Sequence, residues 1–207
     1  MVTWLLLAAS AAVSTPVAVR PKGSPAHWFR AKDLPKLDQK AGLTTFDLTI
    51  DRSGLPSTCS IVVPSGSENL DTAVCKTLLK RARFKPSMDA DGNTTASVYR
   101  ERVAWLPQET GENYWFKTAD IVISTPDLLG QLKKIAEVVV VTDADGITRK
   151  CFTSKSVGVE KLDKLACSVA IDPKISSTVM IQGEPVRGVR LLRFGFEEGA
   201  AMRVLIR

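Results

Sequence analysis

The stretch that decides the fold is FDLTIDRSGLPSTCSIVVPSGSENLDTAVC, which runs from residue 46 to residue 75. The pattern returns 92 residues later, without a gap, as VVVVTDADGITRKCFTSKSVGVEKLDKLAC at 138–167. Eight of the 30 aligned positions are identical, where about two are expected from ordinary residue usage. In the first copy these positions are Asp51, Gly54, Cys59, Gly66, Glu68, Leu70, Asp71 and Cys75. The chain is therefore predicted to contain an internal repeat.

Each copy has the pattern of a strand, a tight turn, a return strand and a helix. In the first copy, 45–50 alternates apolar and polar residues, which is typical of a half-buried strand. Asp51-Arg52-Ser53-Gly54 predicts a hairpin turn into a second strand at 57–63. Asp71 is the expected N-cap of a helix, and a long strand is expected at 96–105.

The second copy repeats this order with a shorter helix. We expect strands at 137–142 and 186–196, a turn at 143–146, a helix opened by Asp163, and an added tail strand at 202–206. Short helical stretches are also expected before each copy, near 32–40 and 126–134. The predicted class is α+β, with two tandem units at 25–107 and 117–207, each an antiparallel sheet with a helix on one face. The polar stretch 107–113 joins the two units.

The first residues have the character of an export signal. No charged side chain occurs before Arg20, and a short apolar run is followed by small residues. We expect residues 1–18 to be a signal peptide, cleaved between Ala11 and Ala18, which places the mature protein in the periplasm. A buried N-terminal helix and an uncleaved anchor in the inner membrane are the alternatives.

The four cysteines occur as two pairs with fifteen residues between the members of each pair. Zinc sites and redox centres use tighter spacings. In each unit the first cysteine lies on a strand and the second on the helix that packs against it. We therefore predict the disulfides Cys59–Cys75 and Cys151–Cys167, which an oxidising compartment would preserve. Four buried thiols are the alternative.

Composition and missing motifs limit the function. The 207 residues include 28 Lys or Arg and 22 Asp or Glu, giving a formal net charge of +6, and only one histidine, His27. Phosphate-binding, dinucleotide-binding, zinc-protease and nucleophile-elbow motifs are missing from the sequence. Asp143-Ala144-Asp145-Gly146 departs from a calcium loop and predicts a hairpin turn. We expect a non-enzymatic protein with no cofactor, no metal and no nucleic-acid partner.

A basic patch accompanies the first helix, made up of Lys76, Lys80, Arg81, Arg83 and Lys85. One interpretation is attraction to an anionic partner such as peptidoglycan, lipid head groups or an acidic receptor segment. The other is a solvated helix face.

The first unit also carries an ordered set of short segments: Asp33-Leu34-Pro35, 46–51 with Gly54, Ser65-Gly66-Ser67 with Leu70-Asp71, 81–86, and Asp91-Gly92 before the strand that ends at Trp105. Over 28–105 the chain thereby resembles the C-terminal domain of TonB-family energy transducers, and looks most like their cysteine-containing periplasmic members. The second unit is similar but divergent, with Ala170-Ile171-Asp172-Pro173 where the first has Arg-Ala-Arg-Phe-Lys-Pro.

The resemblance implies a domain that contacts outer-membrane receptors in energy-coupled transport across the envelope. In that family a receptor segment adds as a strand to the sheet edge. The resemblance thus implies an open edge at 96–105, with the peptide-binding residues Tyr99, Arg100, Glu101, Arg102 and Val103. Only about seven residues separate 18 from 25, too few for a spacer across the periplasm, so we expect an adaptor.

The sequence leaves the partner, the role and the oligomeric state open. The partner is expected to be an outer-membrane receptor or another envelope protein, and peptidoglycan is the alternative. A second function hypothesis is a structural scaffold, in which the two units pair with each other and close the edge. A homo-oligomer is also left open by the sequence.

Overall fold

The computed structural model describes residues 14–30, 33, 35, 42–105, 113–115, 119–126, 128, 132–175 and 178–206. The described strands are β1 Arg20–Pro21, β2 Gly42–Ile50, β3 Pro56–Val63, β4 Phe84–Lys85, β5 Ser87–Met88, β6 Thr94–Trp105, β7 Asn113–Trp115, β8 Ile121–Thr125, β9 Leu132–Thr142, β10 Thr148–Lys155, β11 Val179–Ile181, β12 Glu184–Val186, β13 Gly188–Glu198 and β14 Arg203–Ile206. The described helices are α1 Glu68–Arg81, α2 Glu160–Ala170 and a short 3-10 helix at Pro25–Trp28. The protein is α+β, as predicted.

Both predicted hairpins are present, β2–β3 and β9–β10. The carboxylate of Asp51 accepts backbone N–H bonds from Ser53 and Leu55 at 2.8 and 3.0 Å, which closes the first turn. Gly54 has a φ of 86°, and a Cβ at this position would run into the carbonyl oxygen of Phe84. Glycine is therefore required there for both its conformation and its size.

Both helices begin three residues before the aspartates that were expected to cap them. The N-cap of α1 is Ser67, whose side chain accepts the backbone N–H of Leu70 at 3.4 Å. Asp71 lies inside the first turn and accepts the backbone N–H of Ser65 at 3.1 Å, and Asp163 accepts that of Val157 at 3.1 Å. The capping predictions are corrected: each aspartate ties its helix to the preceding loop. Helix α2 has 11 residues against 14 in α1, so the prediction of a shorter second helix is confirmed.

The main sheet follows the path β10-β9-β13-β6-β2-β3, with further strands attached to this path. Its order is symmetric about the centre: a hairpin, a long strand, a long strand and a hairpin. The two long strands run parallel, and residues 96–98 of β6 pair with residues 188–190 of β13. Strand β8 continues from the other end of β13 and pairs with β14, the predicted tail strand.

The two helices pack on opposite faces of this sheet. Tyr99 and Val103 of β6 share a core with α1. Val98 and Arg190 are partners in the parallel pair, and Leu192 of β13 lies on the same face because side chains alternate along a strand. Leu192 belongs to the core around α2. The arrangement follows from the parallel register, which turns one half of the sheet over relative to the other.

Each core is closed by a disulfide between its edge strand and its helix. Cys59 on β3 is bonded to Cys75 on α1, and Cys151 on β10 to Cys167 on α2, with a sequence separation of 16 in both cases. Both predicted disulfides are present. The largest fully buried side chains lie in these two cores or beside them: Phe46, Phe84, Phe194, Phe196, Leu48, Ile50, Leu70, Leu78, Ile123, Val74 and Val103.

The N-terminal part of the described chain is tied to the first half of the molecule. Val17 exchanges two backbone hydrogen bonds with Met88, both of 2.9 Å, and Lys22 donates its backbone N–H to Arg83 at 2.7 Å. Residues 14–18, the end of the expected signal peptide, are therefore integrated in the fold, whereas residues 1–13 lie outside the described part.

Two other predictions fall partly or wholly outside the described residues. The helical stretch expected at 126–134 is wrong for 132–134, because β9 already begins at Leu132 and pairs there with Phe196 of β13. Most of the stretches 32–40 and 107–113 are not described. In the described part of the chain, no helix is both long enough and apolar enough to cross a membrane.

Candidate binding site

The strand predicted to accept a peptide, β6, has neighbours on both edges. One edge pairs with β2 from residue 97 to residue 105. On the other edge β13 pairs with residues 96–98 and β7 with residues 103–105, which leaves only 99–102 without a partner strand among the described residues. The expectation of an open edge is therefore wrong for 96–98 and 103–105, whereas no described strand pairs with this edge at 99–102. The difference at 96–98 is caused by the parallel docking of the second long strand against the first.

The five residues predicted to bind a peptide lie on both faces of β6. Tyr99, Glu101 and Val103 are buried on the α1 side. The Tyr99 hydroxyl donates to the Glu101 carboxylate at 3.1 Å. Burial, and after it the negative charge of Glu101, raises the pKa of Tyr99. Arg100 and Arg102 lie on the opposite face, where Arg102 donates to the hydroxyl of Thr45 at 3.1 Å. These side chains are engaged within the fold.

Charged side chains fill the seam between β6 and β13, on both faces of the sheet. On the α2 face, Asp47 receives two hydrogen bonds of 2.7 Å from Arg100 and a third, of 3.3 Å, from Arg190. On the α1 face, Arg193 reaches the Glu101 carboxylate at 3.4 and 3.3 Å. A seam of buried ion pairs thus joins the two long strands.

Asp120 lies beside β13, beyond the short stretch in which β13 pairs with β6. Its backbone N–H donates to the carbonyl of Arg193 at 2.8 Å, and its carboxylate accepts the backbone N–H of Arg193 at 3.0 Å. Burial raises the pKa of Asp120, although the nearby arginines, Arg193 foremost, act in the opposite direction. Asp120 therefore hydrogen-bonds to the edge of β13 at Arg193, immediately before the residues that pair with β8.

Sequence reasoning missed four residues of this seam: Asp47, Asp120, Arg190 and Arg193. Three of them carried a usable signal, because they are charged residues inside strands that otherwise bury apolar side chains. Asp120 stands just before β8 and showed no such pattern.

The seam opens into a cavity of about 600 Å³ beneath the N-terminal segment 19–26. Tyr99, Arg100 and Glu101, three of the five predicted binding residues, line it. The other lining residues are Val19, Arg20, Pro21, Gly23, Ser24, Pro25, Ala26, Val98, Glu137, Leu191 and Arg193. The predicted strand thus borders a cavity rather than an open sheet edge.

The predicted basic patch divides into two groups. Arg81 forms an ion pair with Asp33 and also donates to the carbonyl of Trp28. Arg83 donates to the carbonyls of Lys80 and Ala82 at the end of α1. The remaining members, Lys76, Lys80 and Lys85, have exposed side chains. The two arginines bond to groups within the fold, whereas the three lysines are exposed to solvent.

The outer strands of the sheet path are β3 and β10, and no described strand pairs with their outer edges. Beside β3 lies a groove of about 780 Å³ between the strand and α1. Its lining includes the two cysteines of the first disulfide, Cys59 and Cys75, together with Ile61, Leu79 and Lys76. This groove is largely apolar and opens next to an unpaired strand edge.

The Asp-Ala-Asp-Gly segment at 143–146 is a turn, as predicted, and the same four residues at 89–92 also form a turn. The carboxylate of Asp143 accepts the backbone N–H groups of Asp145 and Ile147, both at 3.1 Å. Asp89 does the same for Asp91 and Asn93, at 2.9 and 3.0 Å. Across the described ranges, no group of three or more His, Cys, Asp or Glu residues is placed to hold a metal ion.

Comparison with known proteins gives one match, to a family model, and it covers the first half of the sheet. Residues 36–105 match the family model for the Gram-negative bacterial TonB protein C-terminal, and this range contains β2, β3, α1 and β6. No curated protein and no solved structure matched the chain. The matched family is one of non-enzymatic domains of the Gram-negative envelope that interact with other proteins. The resemblance inferred from the sequence is confirmed over residues 36–105, which match the model of this family.

Proposed function

We propose that this chain is a periplasmic binding protein that captures an extended segment of an outer-membrane receptor, or of another envelope protein, by strand addition. The family of residues 36–105 supports this proposal, because its members generally interact with outer-membrane receptors. In strand addition, main-chain hydrogen bonds provide affinity and alternate side chains provide selectivity. The protein must then offer an unpaired strand edge.

The open outer edge of β3 is the observation that carries the proposal. Strand β3, Pro56–Val63, has eight residues and no charged side chain, and Val62 and Val63 are 38% and 37% exposed. Exposed edges are normally protected by charges, proline or bulges. Strand β3 begins with Pro56 and its ladder with β2 is irregular near both ends, but its regular middle part, 58–61, carries no charge and is a template for a further strand. The edge of β10 is different, since Arg149, Lys150 and Lys155 lie along it.

The neighbouring groove explains how side chains would be selected. Cys59 and Ile61 pair with Leu48 and Phe46 of β2, so they lie on the face that carries α1. An added strand would place every second side chain over this apolar groove. Lys76 and Glu68 both line the groove and are exposed, so we expect a segment with alternating apolar residues, an acidic residue opposite the lysine and a basic residue opposite the glutamate.

Photo-crosslinking in the native envelope tests the proposal. A photoreactive amino acid at Val62 should capture an outer-membrane protein, and the same amino acid at exposed Thr153 on β10 should not. The substitution Val62→Lys should abolish capture by a probe at Ser60, and Thr153→Lys is its matched control. Equal capture from both edges, or capture that survives Val62→Lys, would contradict the proposed site.

The proposal extends to the organisation of the whole chain. We infer two tandem units of the same origin, at 25–107 and 117–207, after an export signal within residues 1–18. The repeated element order, the two equivalent disulfides and the symmetric sheet path support this inference. An inner-membrane anchor is the alternative to cleavage, and peptidoglycan is the alternative partner of the exposed lysines.

A structural role in the envelope is the second candidate function. The pairing of β6 with β13 favours it, because the edge expected to bind a receptor is used to join the two halves of the chain. The same crosslinking separates the two candidates: a scaffold would give products with many neighbours or none from Val62, whereas a binding module gives one defined partner.

A further inference from the structure

The short pairing of β1 with β4 brings positive charge from two distant parts of the chain together. Arg20 pairs with Lys85, and Lys22 donates its backbone N–H to the carbonyl of Arg83 at 2.7 Å in the same antiparallel register. Directly opposed side chains lie on the same face with Cβ atoms about 4.5–5.5 Å apart, and residues two apart along a strand share that face. These four exposed cations therefore form one cluster, the basic ladder.

The fold leaves the charge of the basic ladder uncompensated. None of its four residues forms an ion pair with an acidic residue in the described part of the chain. Arg83 donates through one nitrogen to two carbonyl groups at the C-terminal end of α1. Arg20 borders the cavity that Glu101 and Glu137 line, but Glu101 is bonded to Arg193. Like charges directly opposite each other destabilise a sheet, so the arrangement indicates an anion that binds from outside.

The residue between Arg83 and Lys85 holds the basic ladder in place. Phe84 is fully buried, its ring centroid lies 5.2 Å from that of Trp28, and its backbone N–H donates to the carbonyl of Gly54 at 3.0 Å. The backbone that carries the two cations cannot move away from β1 without loss of this packing. The positive charges are thus held together before a partner binds, which lowers the entropy cost of binding.

The turn that contacts Phe84 extends the charged surface. The carbonyl of Arg83 and the N–H of Phe84 belong to one trans peptide group and point in opposite directions, so the 51–54 turn adjoins β4 on the side away from β1. Arg52 in this turn is exposed, and Leu55 directly after it is 45% exposed. Cations beside an exposed apolar side chain suit the interface of an anionic membrane. An acidic peptide would use the cations alone.

The sequence before the basic ladder also points to a membrane. Ser14 lies six positions before Arg20, which is at most roughly 20 Å along an extended chain. Residues 4–13 are uncharged and largely apolar, the character of an export signal. A run of this kind enters the inner membrane during export and would bring the basic ladder close to the lipid surface.

We propose that the basic ladder binds the phosphate head groups of an anionic membrane surface. A phosphate group offers several acceptor oxygens, so one head group can accept from a directly opposed pair of cations. Lys and Arg side chains near such a surface are attracted to it, and the attraction decreases within a Debye length. The basic ladder includes no residue of β3, so this proposal can fail or succeed independently of receptor capture.

Cosedimentation of the exported protein with lipid vesicles tests the proposal. The vesicles contain phosphatidylcholine alone, or phosphatidylcholine with about 30% phosphatidylglycerol, in about 0.1 M salt. We expect binding to the anionic vesicles to be at least about tenfold tighter than to the neutral ones, and to be lost in about 0.5 M salt. Equal binding to both kinds of vesicle would overturn the proposal, and so would binding to purified peptidoglycan without binding to the anionic vesicles.

Two matched double variants locate the surface. Lys22→Gln with Lys85→Gln removes two charges of the basic ladder and should weaken binding to the anionic vesicles by at least about tenfold. Lys150→Gln with Lys174→Gln removes the same charge from exposed positions in the second half of the chain and should change the affinity by less than about threefold. Equal losses in the two double variants would show that net charge alone matters and would overturn the basic ladder as the site.

The substitution Lys22→Glu separates binding from folding. It places a carboxylate opposite Arg83, so the urea midpoint should equal or exceed that of the wild type, while binding to the anionic vesicles should fall by at least about tenfold. A damaged fold would lower both quantities together. Undiminished vesicle binding by Lys22→Glu would contradict the proposed surface.

Discussion

Arg193 and Glu101 form an ion pair across the seam of the sheet, with Nη2 and Oε2 3.3 Å apart, although 92 residues separate them in the chain. On the opposite face Asp47 receives bonds from Arg100 and Arg190. The two long strands share only a short parallel ladder. Side-chain charge therefore continues the connection where backbone pairing stops, and loss of one charge should weaken the whole molecule.

The substitution Asp47→Asn should strongly reduce the free energy of unfolding. It would leave the 3%-exposed Arg190 and the partly buried Arg100 without their shared carboxylate. Removal of one partner from a buried ion pair typically costs about 3 kcal/mol or more. Urea denaturation measures the change. Asp91→Asn is the control, because Asp91 is 68% exposed where it meets Arg187 and should cost less than about 1 kcal/mol. Equal losses in the two variants would contradict a structural seam.

The stability contribution of Asp120 should decrease as the pH rises. Burial raises the pKa of its carboxyl above the ordinary value of 3.8. The protonated form is thus favoured in the folded state, and its stabilisation is complete below the ordinary value and lost as the pH passes the raised pKa. The variant Asp120→Asn does not titrate and keeps an acceptor for the Arg193 N–H. We expect wild type to lose stability relative to this variant as the pH rises above 3.8, the ordinary pKa of an aspartate.

The stability contribution of Asp51 should change with pH in the direction opposite to that of Asp120, and urea denaturation measures both. Burial alone would raise the pKa of Asp51, but hydrogen bonds from Ser53 and Leu55 hold it below its usual value. Wild type should therefore gain stability relative to Asp51→Asn as the pH rises through the acidic range, and lose that gain as the pH falls. Parallel pH profiles for Asp120→Asn and Asp51→Asn would show that burial does not control Asp120.

The two disulfides should contribute about equally to stability. Both connect an edge strand to a helix over a sequence separation of 16, and closure of a loop of that length is worth about 3 kcal/mol in the chain-entropy account. We expect Cys59→Ser with Cys75→Ser to lower the free energy of unfolding by this amount, and Cys151→Ser with Cys167→Ser to do the same. Urea denaturation of the two double variants compares them directly. A loss confined to one bridge would show that only one half of the sheet depends on its crosslink.

Local features of this fold could be predicted from the sequence because they depend on neighbouring residues. The alternation in β2, the Asp51 turn and the spacing of the cysteines each reflect short-range geometry. The helix starts were less accurate, because Ser67 and Asp71 are both good capping residues and only the surrounding loop decides which one accepts the first N–H groups.

The relation between the two halves could not be predicted in the same way. The alternating pattern of each long strand shows that it lies in a sheet, but it does not show how many neighbouring strands it has. Nothing in 96–105 alone indicates that β13 will pair with the second edge of β6. The charges Asp47, Arg190 and Arg193 were the available clue, since three charged residues within otherwise apolar strands need partners. Their pairing depends on residues that are distant in the chain, because 143 residues separate Asp47 from Arg190 and 92 separate Glu101 from Arg193.

The last prediction concerns where the export signal ends. Removal of residues 1–18 would delete Val17, which forms two backbone bonds with Met88, and Ala18, which packs against the cluster of Val139, Val141 and Val189. The small residues at 8–12 offer cleavage positions further upstream. We therefore expect the mature N-terminus to lie at or before Ser14, and the intact mass of the protein isolated from the periplasm measures it.

The free energy of unfolding of a shortened chain that begins at Val19 tests the same prediction. It should be less stable than a chain that begins at Ser14 by about 1–3 kcal/mol, because the two Val17–Met88 hydrogen bonds, the bond from the Ser14 hydroxyl to the Ala90 carbonyl and the packing of buried Pro16 are lost. A mature protein that begins at Val19, with the same urea midpoint as the longer chain, would contradict the prediction. In that case the Val17–Met88 pairing would belong to the precursor alone, and the cavity beneath residues 19–26 would lose one of the attachments of its cover.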